Sequence, residues 1–222
     1  MIIGVNKPKG ITSHDLINRV RRITGEKRVG HGGTLDPFAE GVLVVGITRE
    51  STKKLNDILK NTDKEYIGTL TLGKISTTGD PEGDITDTKK NDILEKITEE
   101  DIKKTLKKFT GEIEQTPPVY SAIKIKGVPA YKRARRGEKI KLDKRKVNIK
   151  ELELIKFTPP TLTIRTVVSS GTYIRVLAED LGNALGTGAY LSKLIRTRVG
   201  SFTIKESKTL SQLEEEYKSL YN

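Results

Sequence analysis

The residues best placed to do chemistry are gathered at Gly30-His31-Gly32-Gly33-Thr34-Leu35-Asp36-Pro37, with Phe38-Ala39-Glu40-Gly41 directly after. A carboxylate such as Asp36 can act as nucleophile or base, and His31 is one of only two histidines in the chain. Asp36-Pro37 closes the loop, because the residue before a proline is pushed out of the helical region. The apolar run Val42 to Val45 follows at once and reads as a buried strand. Asp36 is thus expected on a stiff turn feeding a core strand, where one carboxylate can be held in one position. Two blander readings stay open on these residues alone. Asp commonly opens turns, so it can be a simple capping residue. The glycines can cradle a phosphate, although the spacing fits neither Gly-x-Gly-x-x-Gly nor a P-loop ending in Gly-Lys-Ser/Thr.

The elements that must position this loop are legible in outline. Ile2 to Asn6 reads as a strand, and Lys7-Pro8-Lys9-Gly10 as a turn carrying two cations. Thr12 or Ser13 can cap a helix running to about Thr24, with Leu16, Ile17, Val20 and Ile23 as its buried stripe and Gly25 as its stop. His14 lies in its first turn and reads as structural. Ser51 to Leu59 reads as a short helix. Lys64 to Leu72 alternates, with Tyr66, Gly68, Leu70 and Leu72 on one face. Residues 74–92 read as a solvated surface loop with Asp80, Glu82 and Asp84; the calcium-loop pattern with its closing Glu is missing. Thr98 to Asp101 opens a helix with capping-box logic. The alternating part of Thr116 to Lys124 is expected to pair with Lys146 to Phe157. Leu162 to Val168 reads as a strand, Tyr173 to Leu185 as a helix capped by Thr172, Val199 to Ile204 as a closing strand, and Leu210 to Leu220 as a final helix. Arg175 in a helix's first turn opposes the helix dipole, which calls for a specific anionic partner.

Composition narrows the partners. The chain has 222 residues and no cysteine, which excludes disulfides, thiolate metal sites and a cysteine nucleophile. The formal net charge is +12. Residues 115–150 hold twelve Lys or Arg against Glu138 and Asp143, so nearly all of the excess sits in one segment. A nearly neutral body with one basic segment points to a polyanion such as nucleic acid. The N-terminal apolar run is too short for a signal peptide, and Val42–Ile47 is too short to span a bilayer. A soluble, cytoplasmic protein with no membrane contact is expected.

Gly-His-x-Gly-x-Leu-Asp-Pro with Ala-x-Gly after it resembles the catalytic loop of the TruB-type tRNA pseudouridine-55 synthases. The family often has Thr where this chain has Gly32. Further strings resemble its other motifs in order: Lys-Pro-x-Gly at Lys7, Asp-Lys-x-Tyr at Asp63, Pro-Pro-x-Tyr-Ser-Ala-x-Lys at Pro117, Tyr-Lys-x-Ala-Arg-x-Gly at Tyr131, Gly-Thr-Tyr-Ile-Arg-x-Leu-x-x-Asp-Leu-Gly at Gly171, and Gly188 to Thr197. The resemblance covers roughly residues 2–205.

It implies an α+β pseudouridine synthase fold, with a central, mainly antiparallel sheet flanked by helices and a basic thumb-like arm at about 115–150. It implies one catalytic domain over residues 1–222, without room for the PUA-type domain that usually follows in bacterial members. Asp36 would be the catalytic carboxylate, paired with Arg175. Tyr66 would stack on the target base and aid proton removal. His31 would take the place of the flipped base, and Tyr173 and Leu194 would line its pocket. Lys7, Lys9, Lys132, Arg133, Arg135 and Arg136 would contact RNA. The expected activity is isomerisation of the T-loop uridine (position 55) of tRNA, with the T stem-loop as partner. No cofactor, no metal and no obligate protein partner are expected. Two alternatives remain: a synthase of the same class acting on another RNA, and a non-catalytic RNA-binding or RNA-folding protein. A two-carboxylate glycosidase lacks a second carboxylate at a defined distance.

Overall fold

The computed structural model describes residues 1–60, 62–121, 123–125 and 127–221, without the side chains of residues 91, 220 and 221. Ala122, in the Pro-Pro-x-Tyr-Ser-Ala-x-Lys string, lies outside the described residues.

The chain opens with β1 (Ile2–Lys7) and α1 (Ser13–Thr24). Thr12 is the N-cap: its hydroxyl accepts the Asp15 amide at 3.0 Å while Asp15 accepts the Thr12 amide at 3.0 Å. Next come β2 (Val29–Gly32), β3 (Glu40–Ile47), α2 (Arg49–Leu59) and β4 (Lys64–Leu72). Residues 74–92 depart from the expected open loop. They form a two-stranded hairpin, β5 (Lys74–Ser76) against β6 (Ile85–Asp87), followed by a short α3 (Asn91–Leu94). Then α4 (Glu99–Lys108) starts at Thr98, whose capping box with Asp101 forms both bonds despite the short acid. The strand before the basic segment is β7 (Gly111–Gln115), and β8 (Lys124–Ile125) and β9 (Val128–Pro129) make a small hairpin before α5 (Ala130–Ala134). The chain continues through β10 (Arg145–Thr158), β11 (Thr161–Val168), α6 (Ile174–Ala184), β12 (Ala189–Val199), β13 (Phe202–Thr203) and α7 (Leu210–Tyr221).

These elements divide into two compact units, 1–67 with 193–222, and 68–192. β4 and β12 each run across that division.

In the first unit β3 is central. It pairs antiparallel with β1 and with β2, and parallel with β12 through Ile195↔Glu40 and Arg196↔Gly41. The sheet is therefore mixed. Successive β3 residues serve opposite faces. Leu43, Val45 and Ile47 pack with Leu16, Ile17 and Val20 of α1 and Leu213 of α7, whereas Val42 and Val44 pack with Leu55 of α2 and Val199. A strand covered on both faces needs an unbroken apolar run, which explains Val42–Val45. Each such side chain contributes about 1.5–3 kcal/mol on burial. Gly41 is required by its surroundings: its φ is +106°, and a Cβ there would lie 2.3 Å from the Arg196 carbonyl oxygen.

In the second unit β10 lies between β11 and β7, antiparallel to both. The partner of β10 is thus β7, Arg145 opposite Gln115, and not the segment 116–124. Pro117-Pro118 explains the difference, since proline cannot donate to a ladder. The alternation read in Lys64–Leu72 holds, with Tyr66, Gly68, Leu70 and Leu72 all buried. The expected single strand Val199–Ile204 is instead the end of β12, a turn at Gly200 and β13 folding back.

Candidate active site

Asp36 begins a tight turn in which the Ala39 amide donates to its carbonyl at 3.1 Å, and the residue is partly buried. Both neighbouring residues are clamped. Before it, the Ser13 hydroxyl donates to the Leu35 carbonyl and accepts the Leu35 amide, both at 2.9 Å. After it, the Pro37 carbonyl accepts the Gly10 amide at 2.8 Å and the Lys7 ammonium at 3.4 Å. The buried ring of Phe38 and the buried Leu35 anchor the turn further. The first turn of α1 and the Lys-Pro-Lys-Gly loop therefore build the seat of Asp36.

Lys7 is a correction. Expected to contact RNA, it is 0% exposed, and its ammonium also donates to the Pro8 and Ile11 carbonyls at 2.9 and 2.8 Å. A buried ammonium committed to carbonyls holds the loop and does not reach a phosphate. Lys9 is exposed.

Arg196 is a residue that sequence reasoning missed. On β12 it is 1% exposed, and its Nε and Nη2 donate to the Val42 and Gly33 carbonyls at 2.7 and 2.8 Å. It ties the loop before Asp36 to the central strand. A cation two residues after Leu194 in an apolar-patterned strand was the available signal. His31, on β2 opposite Val45, is partly buried, and burial holds its imidazole below the usual range, with Arg196 and His14 adding to the effect. Burial, then Arg196, likewise lowers the Lys64 ammonium, against the opposing pull of Asp63. His14 itself is exposed on α1.

Tyr66 is 6% exposed and Leu194 is buried, both in the first unit. The segment holding Tyr66 is pinned by its neighbour: Glu65 accepts the Thr197 hydroxyl at 2.8 Å and lies 3.9 Å from Arg198.

Tyr173 and Arg175 lie in the second unit, where α6 starts. Tyr173, not Thr172, is the N-cap, and it lacks a side-chain cap. The buried Gln115 amide supplies the bonds instead, accepting the Tyr173 amide at 3.0 Å and donating to its carbonyl at 3.3 Å. Arg175 does have an anionic partner within its own unit, Asp80, at 3.2 Å. Asp80 was read as a solvated loop residue; it is 3% exposed. Its carboxylate accepts the Thr78 hydroxyl at 2.5 Å and the Glu82 amide at 3.0 Å, which together with Arg175 offsets the loss of water. Glu82 and Asp84 are exposed as expected. Arg175 also donates to the Thr78 and Tyr120 carbonyls at 3.0 and 2.9 Å. One turn on, burial and then Asp180 raise the Glu179 carboxyl. A Cβ on Gly79, whose φ is +73°, would strike that carboxyl at 2.3 Å, so glycine is needed there.

Along the basic segment Lys132, Arg135 and Arg136 are exposed and Arg133 is partly so. Arg133 and Arg136 face Glu138 at 3.5 and 4.0 Å, and Arg135 lies over the Tyr131 ring at 5.7 Å. Among the described residues no cluster of His, Cys, Asp or Glu is arranged to hold a metal, and no helix is long and apolar enough to cross a membrane.

Comparison with known proteins adds the following. The profile of the N-terminal domain of TruB family pseudouridylate synthases matches residues 21–174, and that of the tRNA pseudouridylate synthase B C-terminal domain matches 175–221. The tRNA pseudouridine synthase B of Leifsonia xyli is 43% identical over 214 residues, 95% of this chain and 70% of that protein. That of Dehalococcoides mccartyi is 45% identical over 213 residues, covering 96% and 69%. Among solved structures, a chain of a Cbf5-Nop10-Gar1 complex aligns with a TM-score of 0.77 at 31% identity, over 100% of this chain and 55% of that one. A chain of an H/ACA RNP bound to a substrate RNA containing 2'-deoxyuridine aligns with a TM-score of 0.73 at 28% identity, over 99% and 54%. The present chain thus spans about half the length of these solved chains.

Proposed function

The chain belongs to the TruB family of pseudouridylate synthases, isomerases that act on tRNA, and from that premise we propose that it converts the T-loop uridine (position 55) to pseudouridine with Asp36 as the catalytic carboxylate. The reaction breaks the bond from the ribose to uracil nitrogen, turns the base, and joins the ribose to carbon 5; carbon 5 gives up its proton and the freed nitrogen takes one up, so there is no net change in composition. It needs a carboxylate fixed against the nucleoside as nucleophile or base, and a pocket for a base taken out of its stack at a cost of a few kcal/mol.

The observation that carries this reading is the seat of Asp36: both flanking residues are clamped while Asp36 itself is only partly buried. A simple capping residue needs no such seat. Arg175 is read as holding Asp36 ionised. His31 is read as taking the place of the flipped base, and Tyr173 and Leu194 as residues of the base pocket. The whole chain is read as one catalytic domain needing no protein partner.

The test is pseudouridine mapping of a tRNA transcript after incubation with this protein alone. Modification confined to the T-loop uridine is expected. Modification only elsewhere would favour another RNA target, and binding without modification would leave an RNA-binding protein.

Two further outcomes are expected. If the Tyr66 ring stacks on the base and its hydroxyl aids proton removal, Tyr66→Phe binds RNA nearly normally but stalls turnover. Tyr66→Leu also loses stacking, worth about 1–3 kcal/mol per base in single-strand systems. Full activity of Tyr66→Phe would restrict the residue to stacking. Replacing Lys132, Arg133, Arg135 and Arg136 by Ser is expected to weaken RNA binding and flatten its salt dependence, by about 0.7 in slope per lost single-strand phosphate contact. Thermal melting changes little, since surface substitutions usually cost within about 0.5 kcal/mol. An unchanged slope would move the RNA path to the arginines of α1, Arg19, Arg21 and Arg22.

A further inference from the structure

We propose that Arg196, Lys64 and His31 form an oxyanion pocket at Gly33 that takes one phosphate of the RNA chain beside the reacting uridine, a site that rests on the reading of Asp36 as the reacting group. Arg196 is buried, with Nε and Nη2 committed to carbonyls, yet its Nη1 carries no hydrogen bond among the described residues. Nη1 lies 3.5 Å from the point where a Gly33 Cβ would sit, and Lys64 Cε lies 3.6 Å from the same point. Two cationic side chains therefore converge on one exposed glycine. Two residues earlier, the buried Nδ1 of His31 also lacks a hydrogen-bond partner.

Guanidinium is the side chain best suited to a buried oxyanion, because its fork matches phosphate geometry and it stays charged. Here part of the fork is already anchored and one nitrogen is left over. The cations at the pocket act on one another: burial first and then Arg196 lower both Lys64 and His31, His14 adds to the effect on His31, and Asp63 opposes it at Lys64. An oxyanion at Gly33 would attract Arg196 and Lys64, offset the repulsion between them and favour the protonated form of His31. The missing Cβ leaves the space. Gly33 precedes Asp36 by three residues, at most about 10 Å of extended chain, so an anion held here lies within a nucleotide or two of the reaction. The surface cations of the basic arm bind by number; this pocket would fix register.

The experiment uses T stem-loop RNAs carrying a single neutral methylphosphonate, scanned through the linkages around the target uridine. One linkage is expected to raise the wild-type KM about tenfold while kcat at saturation holds. Lys64→Gln is expected to lose a similar factor on unmodified RNA and nothing further on that one RNA. Multiplying losses at every linkage would overturn the pocket. A second readout does not depend on that variant. In inactive Asp36→Asn, the His31 imidazole followed by NMR titrates at higher pH when unmodified RNA binds, and the rise vanishes with the critical methylphosphonate. A titration indifferent to unmodified RNA would equally overturn it. Wild-type product mapping on the same RNAs reports separately on the T-loop assignment, so the pocket can survive if that assignment fails.

Discussion

Asp36→Asn is expected to abolish pseudouridine formation and leave RNA affinity within about a few-fold, because the carboxylate acts on the nucleoside after binding. Loss of a sole catalytic group acts on the order of 10⁴-fold or more in kcat. Asparagine preserves the shape of the side chain. The bonds that hold the turn run through the backbones of Leu35 and Pro37 and through Ser13, Gly10 and Lys7, none of which the substitution touches. A folded, RNA-binding, inactive variant is thus the expected result, measured by product mapping beside a binding isotherm. Substantial turnover by the purified variant would remove Asp36 from the catalytic role. An inactive variant that had also lost its RNA affinity would shift the residue to binding.

The second large effect belongs to the buried pair Asp80–Arg175. Removing one partner of such a pair typically costs about 3–5 kcal/mol, because the remaining charge stays buried with its counter-ion gone. Asp80→Asn is the informative change, since an amide oxygen can still accept from Thr78 and Glu82 while the charge is gone. It is expected to lower thermal stability and to cut kcat by about 100-fold, with KM for RNA nearly unchanged, because Arg175 then loses the buried carboxylate that orients it, although the Thr78 and Tyr120 carbonyls still accept from it. Arg175→Gln is expected to cost as much or more. The double variant should be much better than the product of the two losses, as for residues acting as a unit. Additive losses would mean that Asp80 supports the loop alone and does not position Arg175.

Much of this molecule follows from local sequence. The stripe of α1, the double-sided apolar run of β3 and the alternation through Tyr66 are periodicities, and burial of apolar area enforces them whatever the detailed packing. The Asp36 turn was legible because proline restricts the residue before it. The requirement of Arg175 for an acid followed from the helix dipole. The order of motifs along the chain led to the family.

Tertiary structure decided which distant groups meet. Nothing local marks Asp80 as buried rather than solvated, because its neighbours Glu82 and Asp84 are exposed and of the same type; Arg175, far along the chain, makes the difference. Nothing local distinguishes Lys7 from Lys9, yet one ammonium is enclosed by three carbonyls and the other meets water. Gln115 caps α6 in place of Thr172, and Arg196 reaches the Gly33 carbonyl from a strand that sequence alone did not delineate. In each case the deciding term is the cost of leaving a polar or charged group buried without a partner, and the partner comes from a remote part of the chain. Periodicity reports which face of an element is buried; only the folded chain reports which charge waits there.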